Sequence, residues 1–224
     1  MIRNRIFCAP LALCLLALGT FGGTTAQAQD AIQTGLDIQE AFRAYQTAVL
    51  EDQGSDAAKL VSQGTIAYFE DAREMALYGT LDELESRTFT DRLQIVLLRH
   101  RVPLKKLETF SPEEIFAFAV DNGWVGKRSI GTLDVGTVRL EGGAAMGQAL
   151  RETQPTDLEL RFVYEEENWK LDLLPLLAVG NERFSQLAEQ QQLTGEELIL
   201  GIIGNVTGSE VSRSIFDPPL TRAE

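Results

Sequence analysis

Apolar residues in the first half of the chain recur at three- and four-residue steps, the period that lines one face of an α-helix. Ile38, Ala41, Phe42, Tyr45, Ala48 and Val49 form such a stripe. It begins within Asp37-Ile38-Gln39-Glu40, which has the spacing of a capping box, so a helix is expected to open at Asp37. A second helical region covers 55–78. There Gly64 separates a short piece carrying Ala57, Leu60 and Val61 from a longer one carrying Tyr68, Phe69, Ala72 and Met75. Further starts stand at Thr80-Leu81-Asp82-Glu83 and at Thr90, the latter helix carrying Leu93, Val96 and Leu97 until Pro103 stops it. The most specific start is Ser111-Pro112-Glu113-Glu114, which combines a serine cap, a proline at the first helical position and an acid three residues on from the serine. Gly123 closes that helix.

After Lys127 the pattern changes to the alternation of strands. Gly142-Gly143 suits a two-residue hairpin turn, where both central positions need positive φ. That turn sets Val138 opposite Gly147 and Asp134 opposite Arg151. One face of the hairpin then reads Asp134, Gly136, Val138, Leu140 and Ala145, Gly147, Ala149, Arg151. It is a floor of small residues with an ion pair at one end, beside volume that either a close-packed helix or a ligand must fill. The stretch FVYEEENWKLDL, residues 162–173, makes a second hairpin. With Glu167-Asn168 at the turn, Tyr164 pairs with Leu171, Phe162 with Leu173 and Glu165 with Lys170, so apolar meets apolar on one face and opposite charges meet on the other. The aromatic face is expected to line a core and the acidic tip to be solvated.

Two helices are expected beyond Pro175. The first, from Asn181, buries Phe184, Leu187 and Ala188. The second opens on the capping-box spacing of Thr194-Gly195-Glu196-Glu197 and carries Leu198, Ile199, Ile202, Ile203 and Val206 on one stripe. Five large apolar side chains on one stripe must pack on something, either the chain's own helix layer or a protein partner. Residues 209–224, with Asp217-Pro218-Pro219, read as a tail. The whole is an α+β chain: residues 29–36 a linker, 37–174 helices packed on a mainly antiparallel sheet, and 175–208 a C-terminal helical extension.

The first residues change the compartment rather than the fold. Arg3 and Arg5, the apolar stretch Ile6 to Leu18 and the small-residue site Ala26-Gln27-Ala28 have the layout of a secretory signal peptide over residues 1–28. Cleavage near Ala28 would make the protein periplasmic or secreted and would remove both cysteines, Cys8 and Cys14. No disulfide would then support the fold. The chain carries 33 acids against 20 Lys and Arg, a formal net charge of −13. Nucleic acid and anionic lipid surfaces select for clustered cations and are unsuitable partners. No later segment reaches the roughly 20 apolar residues of a membrane helix.

Several helices followed by paired strands, the last pair ending in an acidic turn and then Trp169-Lys170-Leu171-Asp172, resemble the nuclear transport factor 2-like superfamily over roughly Asp37 to Leu174. The resemblance implies a strongly curved sheet wrapped around N-terminal helices to make a cone with a pocket. The helices beyond the sheet depart from the minimal pattern. They look more like the periplasmic phospholipid-carrier branch, which implies an acyl chain held between sheet and helices.

Candidate chemistry is sparse. His100, the one histidine, stands in LLRHRVP between Arg99 and Arg101, which reads as a solvated helix end. One histidine, no cysteine after cleavage and no spaced carboxylate cluster give no metal set, and no cofactor motif is present. The candidate ligand-binding residues are Tyr45 and Tyr68, on helix stripes that would cap the cone, with Asp134 and Arg151 on the small-residue floor. The favoured function is non-enzymatic: an exported protein holding a small apolar ligand, a lipid among the options, or a protein partner along Leu198, Ile199, Ile202 and Ile203. Two alternatives stand beside it. One is a cone-pocket isomerase, dehydratase or hydrolase using Tyr45 or Tyr68 with Asp134; the other is a structural module without a cavity.

Overall fold

The computed structural model describes residues 23–124 and 127–222, so that residues 1–22 of the expected signal peptide lie outside the described residues. Its helices before the sheet are α1 (Gly23–Leu50), α2 (Gly54–Lys59), α3 (Gln63–Tyr78), α4 (Leu81–Glu85), α5 (Phe89–Arg101), α6 (Leu104–Thr109), α7 (Pro112–Asp121) and α8 (Lys127–Gly131). Strands β1 (Leu133–Glu141), β2 (Ala144–Arg151), β3 (Gln154–Glu165) and β4 (Asn168–Asp172) follow, then α9 (Leu174–Gln191), α10 (Gly195–Thr207) and a 3-10 turn at Arg213–Phe216. The strands form one curved antiparallel sheet in sequence order. The architecture is therefore α+β.

Local chemistry explains four of the helix starts. Thr80 with Glu83, Thr88 with Asp91, Ser111 with Glu114 and Thr194 with Glu197 form reciprocal capping boxes. Each ties two otherwise unsatisfied backbone N–H groups to side-chain oxygens. The start expected at Asp37 is different. Helix α1 runs straight through it and through residues 29–36, because Asp37 Oδ1 accepts from Gln33 Nε2 at 2.7 Å, one helical turn back, instead of capping an end. The break expected at Gly64 lies at 60–62. There the chain leaves the helix to add a short parallel bridge to β4, with Ser62 N donating to Leu171 O at 2.9 Å and Leu171 N donating to Leu60 O at 2.9 Å. Helix α9 opens at Leu174 rather than Asn181, since Pro175 is compatible with a first helical turn.

The hairpin registers hold near the turns and depart beyond them. Gly142 and Gly143 have φ of +58° and +83°, and Val138 faces Gly147. Between Val135 and Val138 a β-bulge then moves the pairing by one residue. A one-residue slip turns side chains to the other face. Asp134 consequently faces Leu150 and Arg151 faces Leu133, so the expected Asp134–Arg151 pair does not form. In the second hairpin the turn is Glu166-Glu167, with φ of +52° and +64°, and Asn168 Nδ2 donates to Glu166 O. Phe162 therefore pairs with Leu171 and Tyr164 with Trp169. Shifting every pair by two residues preserves the faces, but the aromatic side lines the core only through Phe162 and Leu171: Tyr164, expected there, is 57% exposed, while Lys170 and Asp172 on the other face are buried. Lys170 pairs with Glu166 at 2.5 Å rather than with Glu165.

Helix α1 lies on the sheet against β1 and β4. Ile38, Phe42 and Tyr45 on α1, with Leu160 and Phe162 on β3, are fully buried. This packing fills the small-residue floor. Ala145 and Ala149 are buried beneath it, and a Cβ added at Gly147 would stand 2.6 Å from Val135 Cγ1 and 3.9 Å from Ile38 Cγ2. On the far side, Leu198, Ile199 and Ile203 of α10 are buried in the chain's own core and α10 packs on α5. Of the stripe expected to pack on the chain's own helix layer or on a partner, these three residues are spent inside the molecule, while Ile202 is half-buried and Val206 is 66% exposed.

The segment after α10 also belongs to the fold. Phe216 is buried, Leu220 N donates to Leu77 O at 3.1 Å, and Arg222 pairs with Glu83 at 2.7 Å. No helix among the described residues is long and apolar enough to cross a membrane.

Candidate functional site

The four candidate residues do not converge. Tyr45 sits inside the core of α1 with its hydroxyl unbonded, and burial pushes its pKa well above the ordinary tyrosine value. Tyr68 on α3 likewise leaves its hydroxyl without a hydrogen bond; desolvation and then the Asp91 carboxylate beside it push that pKa upward. Both hydroxyls are held neutral, far from the range of a general base at neutral pH. Asp134 is exposed on β1, where one carboxylate oxygen accepts from the Val135 N–H at 2.8 Å, and Arg151 is exposed at the end of β2. No tyrosine–Asp134 dyad is formed.

A different set of residues surrounds the larger cleft. The flank of α1 beside its core stripe carries Asp37, Glu40, Ala41 and Ala44, Ala41 standing at the edge of the stripe itself. Facing it are α7, with Glu113 and Glu114 in its first turn and Ala117 in its second, and α2 with Ala58 and Lys59. The β3–β4 tip closes one end with Tyr164, Glu166, Glu167, Asn168, Trp169 and Lys170. The cleft is open to solvent and has a volume of about 930 Å³. Alanines make much of its floor, and Gly54 brings α2 against α7 so closely that a Cβ there would stand 2.2 Å from Ala117 O.

Two features define its chemistry. Tyr164 and Trp169 meet edge to face, ring centroids 5.2 Å apart, and Tyr164 remains 57% exposed. Soluble proteins bury such rings or use them in recognition. The second feature is charge. Six carboxylates line the cleft, and its two lysines are already engaged: Lys59 with Asp56 at 2.7 Å and Lys170 with Glu166. Glu113 and Glu114 are tied to Ser111 in the cap of α7, whereas Glu40 and Glu167 make no hydrogen bond or ion pair. Among the described residues no three His, Cys, Asp or Glu side chains converge to hold a metal ion.

A smaller cleft of about 450 Å³ lies between α5–α6 and the C-terminal segment and includes His100. Its inner wall is Arg99, whose guanidinium donates to the carbonyls of Met75, Ala76 and Gly79 at the end of α3 and of Ile215 and Phe216 in the C-terminal segment. Burial pulls its pKa down to about 10, which leaves it charged at neutral pH. This arginine is a clamp and has no donor left for a ligand.

The acidic tip is solvated as expected, with Glu166, Glu167 and Asn168 exposed, but the cleft beside it was not foreseen from the sequence. The available signal was the recurrence of Asp37, Glu40, Ala41 and Ala44 along the flank of the Ile38–Phe42–Tyr45 stripe, but nothing local shows what faces it. Compared with protein-family models, curated proteins and solved structures, the chain matches none.

Proposed function

We propose that this is an exported, non-enzymatic binding protein that receives part of another molecule in the cleft between α1, α7 and the β3–β4 tip. The observation that carries the reading is the Tyr164–Trp169 pair, held rigidly by cross-strand pairing at the wall of a solvent-open cleft. Aromatic side chains fixed in this way supply contact area with little further loss of conformational entropy on binding. The space that a small apolar ligand would need over the small-residue floor is taken by α1, which turns the reading from the cone interior to this outer cleft. Export is part of the same proposal and rests on the layout of residues 1–28.

A photo-crosslinking side chain at Asn168, in the full chain expressed in its native cells, tests the function. The expected result is a discrete adduct that is absent when the same side chain stands at exposed Glu108 and is lost in Trp169→Ala. Adducts of equal yield at both positions, or none at Asn168, would sink the reading.

A further inference from the structure

We infer that the cleft selects an extended polypeptide segment rich in lysine and arginine. This rests on the reading of the cleft as a binding site, and it adds the chemistry of the ligand. The site itself is the cavity with its aromatic wall; the charges decide what enters.

Three observations point the same way. The carboxylates come from α1, α7 and the β3–β4 tip, they are not gathered at a single point, and Glu40 and Glu167 stand on different elements without partners. A ligand that answers them must carry several positive charges along its length, which excludes a single ion as the fitting occupant of about 930 Å³. The cleft's own cations, Lys59 and Lys170, are each paired with a carboxylate, and the six carboxylates that line the cleft outnumber them.

The third observation is the treatment of aromatic rings elsewhere in the chain. Lys106 Nζ lies 4.8 Å from the centroid of Phe118 and Arg101 Cζ lies 5.8 Å from that of Trp124. Among the described residues no cation of the chain stands over Tyr164 or Trp169. A guanidinium or ammonium group from outside gains the same ring attraction there while meeting carboxylates on either side. The small side chains of Ala41, Ala44, Ala58 and Ala117 in the lining leave room for an extended main chain to approach.

The test uses the full chain, isotopically labelled for NMR, titrated with a ten-residue peptide alternating lysine and arginine with glycine and serine. The same peptide with glutamates replacing its cations, and spermine, serve as comparisons. The basic peptide is expected to shift the Trp169 indole and the amides around Glu40 and Glu167. Its affinity should fall at least tenfold in Glu40→Lys/Glu167→Lys, stay within twofold in Glu108→Lys, and weaken as salt rises. Shifts spread over the whole acidic surface, with Glu108→Lys as harmful as the cleft variant, would mean non-specific adsorption and overturn the inference. Equal binding of spermine would replace the polypeptide by a small polyamine and overturn it as well. If only the glutamate peptide perturbs the cleft, the ligand class fails while the binding function stands; if nothing perturbs the cleft and Asn168 gives no adduct, both fail.

Discussion

Arg99 shows how much one side chain carries here. Its guanidinium has five N–H donors, and the five bonds, between 2.5 and 3.2 Å, all end on backbone carbonyls. Three of those carbonyls stand at the end of α3, Met75 and Ala76 in its last turn and Gly79 just beyond it, where the macrodipole favours a cation. The other two hold the C-terminal segment. Arg99→Ala is expected to cost on the order of 3 kcal/mol in chemical denaturation, because partly buried acceptors lose their donors together. Arg99→Lys should recover less than half of that, since an ammonium has three donors and no fork. A loss below about 1 kcal/mol for Arg99→Ala would show that water replaces the guanidinium without penalty.

At the scale of elements, the sheet is held in register by tight turns that sequence alone does not make obvious. Glu152-Thr153, between β2 and β3, has φ of +50° and +68°, and both residues are exposed. A β-branched residue in the left-handed region is strained by contacts between its side chain and the backbone. Thr153→Gly should therefore raise stability by about 1 kcal/mol without altering the pairing of Arg151 with Gln154. Thermal unfolding checks it; a lower melting temperature would mean that the flexibility glycine adds to the unfolded chain outweighs the strain removed. The same argument explains the slip in the second hairpin. Glu166 and Glu167 accept the left-handed conformation because that register sets fully buried Phe162 opposite Leu171, which is 1% exposed.

Over the whole molecule, the C-terminal segment acts as a strap joining the last residues to the α3–α4 region. Its outer fastening is Arg222 on Glu83, which also caps α4 through Thr80. The backbone hydrogen bond from Thr80, followed by Arg222 and the Thr80 hydroxyl, holds the Glu83 carboxyl down at about 2, against an ordinary value of 4.5. A carboxyl depressed in the folded state contributes stability that is fully present above its unfolded pKa and is lost as pH falls through the folded one. The fastening should hold at neutral pH and weaken between about 4.5 and 2. Hydrogen exchange of the Leu220 amide, bonded to Leu77 O, reports it. Once corrected for the intrinsic pH dependence of exchange, protection should drop in that window in the wild type and be low at neutral pH in Glu83→Gln. Unchanged protection in the variant would place the hold on Phe216 and Arg99 alone.

Features that depend on neighbours three or four residues away were legible in the chain. Thr80, Ser111 and Thr194 opened helices as their spacing indicated, Phe162 and Leu171 turned inward, and Leu198, Ile199 and Ile203 were buried, because caps and periodicity act within one turn or one pleat. What depended on distant partners was not. The bulge that turned Asp134 away from Arg151, the helix that filled the floor beneath Tyr45, and the five carbonyls around Arg99 required the assembled layers. None of Tyr45, Tyr68, Asp134 and Arg151 reached the larger cleft, whereas FVYEEENWKLDL supplied its aromatic wall. The cleft exists only where α1, α2, α7 and the β3–β4 tip meet, and the relative placement of four elements is set by packing between segments far apart in the chain rather than by any pattern within one of them.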